Sequence, residues 1–132
     1  MTQEQKNLLF KDLCARLPYG IKGNYQNSDD KLLRSITIVY GNLKPNGMVM
    51  TGDIKPYLFP LSSMTEEQRK YIADRWDINE DFDFEIDPNW GEYFVDLCDA
   101  VDYINWLNEN HFDYRGLIEK SLALDATGLN IY

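Results

Sequence analysis

The amino-acid sequence predicts an α+β fold, a small, mainly antiparallel sheet packed against three or so helices. Two observations carry that expectation. Apolar residues recur at three-to-four spacing in separate stretches, and β-branched and aromatic runs bounded by turn signals lie between them. Helices and strands are grouped rather than strictly alternating, which points away from a parallel α/β sheet. No repeat, low-complexity tract or linker interrupts residues 1–132, so the chain reads as a single globular domain.

Thr2 with Gln5 matches a capping box, and Leu9, Phe10, Leu13, Cys14 and Leu17 form one stripe, so a helix is expected over Gln3 to Leu17, stopped by Pro18. Tyr19 to Tyr25 reads as extended and Gln26 to Lys31 as a loop. Leu32 to Leu43 holds the strand-forming run Ile36-Thr37-Ile38-Val39-Tyr40. Pro45-Asn46-Gly47 marks a turn, after which Met48 to Ile54 is expected to return antiparallel to that second strand. Pro56 and Pro60 confine Tyr57 to Leu61 to an edge or a packed loop. A second helix is expected from Thr65 to Trp76, capped by Ser63 with Glu66 or Thr65 with Gln68. Phe82, Phe84 and Ile86 alternate with acids and read as a short strand with one wet face. A third helix is expected over Tyr93 to Asn110, with Leu97, Val101, Ile104 and Leu107 facing inward, then a short helix near Tyr114 to Leu122 and an irregular tail.

Charge is the most informative feature. Residues 1–75 hold eleven Lys/Arg against eight Asp/Glu, net plus three, whereas residues 76–132 hold two against fourteen, net minus twelve. Between Arg75 and Arg115 there is no basic residue, and twelve acids fall in that window. Such a field repels nucleic acid and membrane phosphate, and suits attraction of a basic protein partner, steering of association, or holding of divalent cations. The plainer reading is a solvated face that keeps the protein soluble, with acids guarding a strand edge. Asp81, Asp83, Glu85, Asp87 and Trp90 are the candidate partner-binding residues.

Other constellations resolve into ordinary structure. Asp77, Asn79 and Asp81 open like a calcium loop, but Phe82 stands where the turn glycine belongs and Pro88 where the closing glutamate belongs. Gly20-Ile21-Lys22-Gly23 has the spacing of a backbone-clamping RNA loop, yet no helix is expected after it. His111 is the only histidine and is expected to act as a cation at the carbonyl end of the third helix rather than in catalysis. Cys14 and Cys98 read as buried free thiols, and acids beside Cys98 leave a Cys98–His111 pair without activation. Trp90, Tyr93, Tyr103, Trp106, Phe112 and Tyr114 suit a core before a binding surface. No catalytic, cofactor-binding or metal-binding set emerges, and no cofactor is called for.

Three segments carry a resemblance: Lys11-Asp12-Leu13-Cys14-Ala15-Arg16-Leu17-Pro18-Tyr19-Gly20, Ile54-Lys55-Pro56-Tyr57-Leu58-Phe59-Pro60-Leu61-Ser62-Ser63-Met64, and Asn105 through Lys120. Together they resemble a group of small uncharacterised proteins of gut bacteria, found in bacteriophage and mobile-element contexts. The resemblance implies cytoplasmic expression in a bacterium or infected cell and an accessory or host-interaction role, and carries no catalytic or binding residue with it.

Three functional readings therefore stand at this point. The leading one is a non-enzymatic interaction protein that presents its acidic C-terminal half to a basic partner. The alternative is a small-ligand or divalent-cation protein, or an enzyme, using paired carboxylates in a cleft. The third is an assembly component with an apolar patch at Tyr57 to Leu61.

Overall fold

Thr2 caps the first helix as its spacing predicts. Its hydroxyl accepts the Gln5 amide, and the Gln5 side chain accepts the Thr2 amide. The helix, α1, runs Gln3–Arg16, and a 3-10 turn at Leu17–Tyr19 takes up Pro18. The computed structural model describes residues 1–26, 35–83 and 97–132. Most of the expected loop at 26–31 and the start of the expected strand at Leu32 lie outside them.

Gly20, at φ 76°, turns the chain into β1 (Ile21–Tyr25), not into a helix. β2 is only Ile36–Ile38, and Tyr40–Leu43 coils into a 3-10 turn instead of continuing the strand. Met48 to Ile54 does not return along β2. Residues 47–52 form tight turns, closed by Thr51 N–H to Gly47 O and Gly52 N–H to Val49 O, and the next strand, β3, spans Ile54–Pro60. β3 pairs antiparallel with β1, so β1 lies between β2 and β3.

The expectation that prolines hold Tyr57 to Leu61 at an edge is overturned. β3 is central: it pairs with β1 and, in parallel, with β4 (Phe112–Asp113) and β5 (Leu124–Asp125). The ladder with β1 ends at Pro56 and the ladder with β4 ends at Pro60, so each missing N–H falls where a ladder stops. Tyr57 and Leu58 are buried, which removes the proposed apolar patch. Among the described residues the sheet has two antiparallel ladders of three residue pairs and two parallel ladders of two, a mainly antiparallel sheet within an α+β fold.

Thr65 caps α2 (Glu66–Trp76) through its box with Gln68. α3 is Leu97–Glu109, and the expected start at Tyr93 lies outside the described residues. Its inner face is rotated from the expected one. Val101 and Ile104 are exposed, while Tyr103, Leu107 and Asn108 are buried. The aromatic residues decide this: Tyr103 meets Trp76 at 5.6 Å and Trp106 stacks on Phe112 at 5.8 Å. No helix forms after Asn110 either. The Asp113 carboxylate captures the amides of Leu117 and Ile118 at 3.0 and 2.9 Å, and Gly116 and Ser121 take positive φ.

Two cores result. Leu9, Leu13, Ile21, Ile38, Ile54, Leu58 and Leu117 belong to one. Met64, Ile72, Trp76, Tyr103, Leu107 and Phe112 belong to the other, against which Phe59 packs. Adjacent β3 residues, Leu58 and Phe59, thus serve opposite cores, as strand alternation requires. At Gly23, β1 and its neighbours approach closely. A Cβ there would stand 2.8 Å from Ile54 Cγ2, 2.9 Å from Ile38 Cδ1 and 2.9 Å from the Lys55 carbonyl oxygen. Gly23→Ala should therefore cost about 1–3 kcal/mol by overpacking. Urea unfolding checks this, and an unchanged midpoint would show that the ladder shifts freely.

Candidate functional site

α2 ends on Asp77, whose left-handed backbone (φ 53°) brings its amide back to the Ile72 and Ala73 carbonyls. Ile78 then buries its side chain and anchors the exit. Beyond Ile78 the chain makes a turn through Asp83, where the expected strand would begin. Asn79 Oδ1 accepts the amides of Asp81 and Asp83 at 2.9 and 3.1 Å, while the Asn79 amide donates to the Asp83 carbonyl. Phe82 is held at φ 65°, a costly conformation for a bulky side chain, so it cannot begin a strand. Residues 84–90, with the rest of the expected alternation, lie outside the described residues.

The turn is fastened from two sides. The Tyr103 hydroxyl donates to the Phe82 carbonyl at 2.9 Å, and the Arg69 guanidinium sits 4.6 Å from the Phe82 ring centre. Burial, followed by the negative charge of Asp83, pushes the Tyr103 phenol up to about 12, so it remains a donor throughout the neutral range. Asp81 and Asp83 are exposed. They line a cleft of about 380 Å³ with Leu61, Phe82, Tyr103 and Ile104.

Of the five candidate residues, the structure brings Asp81 and Asp83 to this cleft. Glu85, Asp87 and Trp90 lie outside the described residues. Asp99 lies one helical turn before Tyr103 and is exposed, as are Asp77, Glu80, Asp102 and Glu109. Asp113 leaves the acidic surface altogether, because its carboxylate is buried among backbone amides. Asn79 spends its side-chain oxygen on the turn, and among the described residues no three His, Cys, Asp or Glu side chains are grouped to hold a metal ion. Tyr103 and Phe112 are buried, and Trp106 and Tyr114 pack against the second core.

Two expectations need correction. Cys98 is exposed and only Cys14 is partly buried, although neither is in a disulfide. Cys98 falls outside the buried stripe once α3 is rotated. His111 does sit just past α3, in a left-handed conformation with its amide bonded to Asn108 O, but not as a cation. Burial, helped by the Arg16 guanidinium, lowers its imidazole to about 4, so it is neutral near pH 7.

A buried polar network escaped the sequence reading. Asp12 and Arg16 are both fully buried, joined through Nε–Oδ2 at 2.8 Å and Nη2–Oδ1 at 3.1 Å. Arg16 Nη2 also donates to Phe112 O at 2.7 Å, and Arg115 reaches Asp12 at 3.2 Å. Their spacing of four residues was visible, and so was their place beside Leu9 and Leu13. Only the arrival of β4 over that face tells a buried pair from a solvated one.

Compared with protein-family models, curated proteins and solved structures, the chain matches none. Among the described residues, no helix is long and apolar enough to cross a membrane.

Proposed function

We propose that this is a non-enzymatic interaction protein, an accessory protein of the phage or mobile-element kind, whose acidic C-terminal half takes a basic segment of a partner protein. The observation that carries the reading is the pairing of charge with apolar surface at one place. Asp81 and Asp83 stand at a cleft that Leu61, Ile104 and Leu107 make apolar. A Lys or Arg residue flanking an apolar side chain matches that cleft: the apolar group gives up water, and the cations meet the rim carboxylates. Rim pairs of this sort contribute only about 0.2–1 kcal/mol each, so they set encounter rate, salt dependence and register more than affinity.

The test is fluorescence anisotropy with two synthetic peptides, one alternating Arg with Leu and one alternating Glu with Leu. The Arg peptide should bind, weaken as salt rises, and lose at least roughly tenfold in affinity against Asp81→Lys/Asp83→Lys. Equal binding by both peptides, or no effect of the double change, would refute the proposal. Both side chains are exposed, so the variant should keep the wild-type fold.

A further inference from the structure

A second cleft lies on fully described residues at the C-terminal end of α3. It measures about 440 Å³, within the roughly 300–1,000 Å³ range of small-molecule sites. Phe59, Phe112 and Tyr132 give it aromatic walls, and among the described residues Glu109 is the only charged one that lines it. The available polar groups are specific. Gln68, which lines the cleft, uses Oε1 to cap α2, so its amide nitrogen remains to donate. Asn110 uses Nδ2 on Trp106 O, which leaves Oδ1 to accept. His111 lines the same cleft, is 9% exposed, and lies flat against the Tyr132 ring at 3.6 Å. Its Nδ1 is buried and meets no hydrogen-bond partner among the described residues. A buried polar atom left unmet costs free energy, so an unmet nitrogen on a residue that lines an aromatic cleft points to a ligand atom.

We propose that this cleft binds a planar heteroaromatic molecule bearing an exocyclic amino group, of the nucleobase type, in its unphosphorylated form. The aromatic walls take the ring faces. Glu109 and Asn110 Oδ1 accept from the amino group, and Gln68 donates to a ring acceptor. A ring heteroatom entering edge-on, with a small shift of Tyr132, supplies the partner His111 Nδ1 lacks. Among the described residues no Lys or Arg lines the cleft, and Glu109 repels a phosphate.

This site is independent of the acidic cleft, and its test is separate. Saturation-transfer NMR and calorimetry would be run with adenosine, cytidine, uridine and adenosine monophosphate. Adenosine or cytidine should bind, uridine should bind at least fivefold more weakly for want of the amino group, and the monophosphate at least tenfold more weakly. Glu109→Gln, at an exposed position that should leave folding intact, should lower nucleoside affinity several-fold and narrow the penalty on the monophosphate. His111→Phe, which keeps a ring against Tyr132, should also weaken binding. No binding by any probe at millimolar concentration would overturn the assignment. So would nucleoside binding that neither variant changes.

Discussion

Asp12→Ala should cost about 3–5 kcal/mol of stability, read as a lower urea midpoint at pH 7 with an unchanged slope. The reason is the charge it leaves behind. Arg16 is fully buried, and among the described residues its carboxylate partner is Asp12 alone, which it grips through two nitrogens. It also meets the Phe112 carbonyl and the face of Tyr114, whose ring centre lies 5.2 Å from the guanidinium. Its Nη1 already lacks a partner among the described residues. Without the carboxylate, a whole positive charge would stand in the interior, with the second cation, Arg115, close by. Removing both charges should be far milder. Asp12→Leu/Arg16→Met replaces the pair by packed apolar groups and should recover most of the loss. A single change that costs under about 1 kcal/mol would show that water reaches Arg16, contrary to its burial.

The second large effect is one of pH. His111 titrates at about 4 in the fold, against an ordinary value of about 6.5 in the unfolded chain. Between those values the unfolded chain holds a proton that the native chain lacks. Stability therefore falls as pH falls from about 6.5 towards 4, and above 6.5 this group contributes no slope. The full difference corresponds to about 3 kcal/mol. The carboxylates titrate over part of the same range, so the measurement is a difference between profiles. Urea unfolding of the wild type and of His111→Phe, from pH 7.5 to 4.5, should diverge on the acid side, with the wild type losing more. Parallel profiles would mean that His111 is as free to take a proton in the fold as in solution.

Local chemistry decided the features that were legible in the sequence. Both capping boxes, at Thr2 and Thr65, form as their spacing requires, because each is complete within four residues. The α+β class came from the same local patterns. The expectations that failed depended on distant partners. Pro56 and Pro60 look like edge signals until the ladders of β1 and β4 are seen to end at them. The α3 face was chosen by aliphatic spacing, whereas Trp76 and Phe112, remote in sequence, select Tyr103, Trp106 and Leu107. Phe82 fitted an alternating pattern, but the side chain of Asn79 closes a turn there first. The candidate site was legible in part. The acidic bias located Asp81 and Asp83, and only the fold could add Leu61 and Ile104 to them.

The proposed partner reading is tested most directly by locating where a basic peptide touches. Isotope-labelled protein titrated with the Arg–Leu peptide would be followed by amide chemical shifts. The largest changes should fall on Asp81, Phe82, Asp83, Tyr103 and Ile104, fade as salt is raised, and vanish in Asp81→Lys/Asp83→Lys. Changes centred instead on the Lys6, Phe10 and Lys44 end of the molecule, or no saturable change at all, would contradict it.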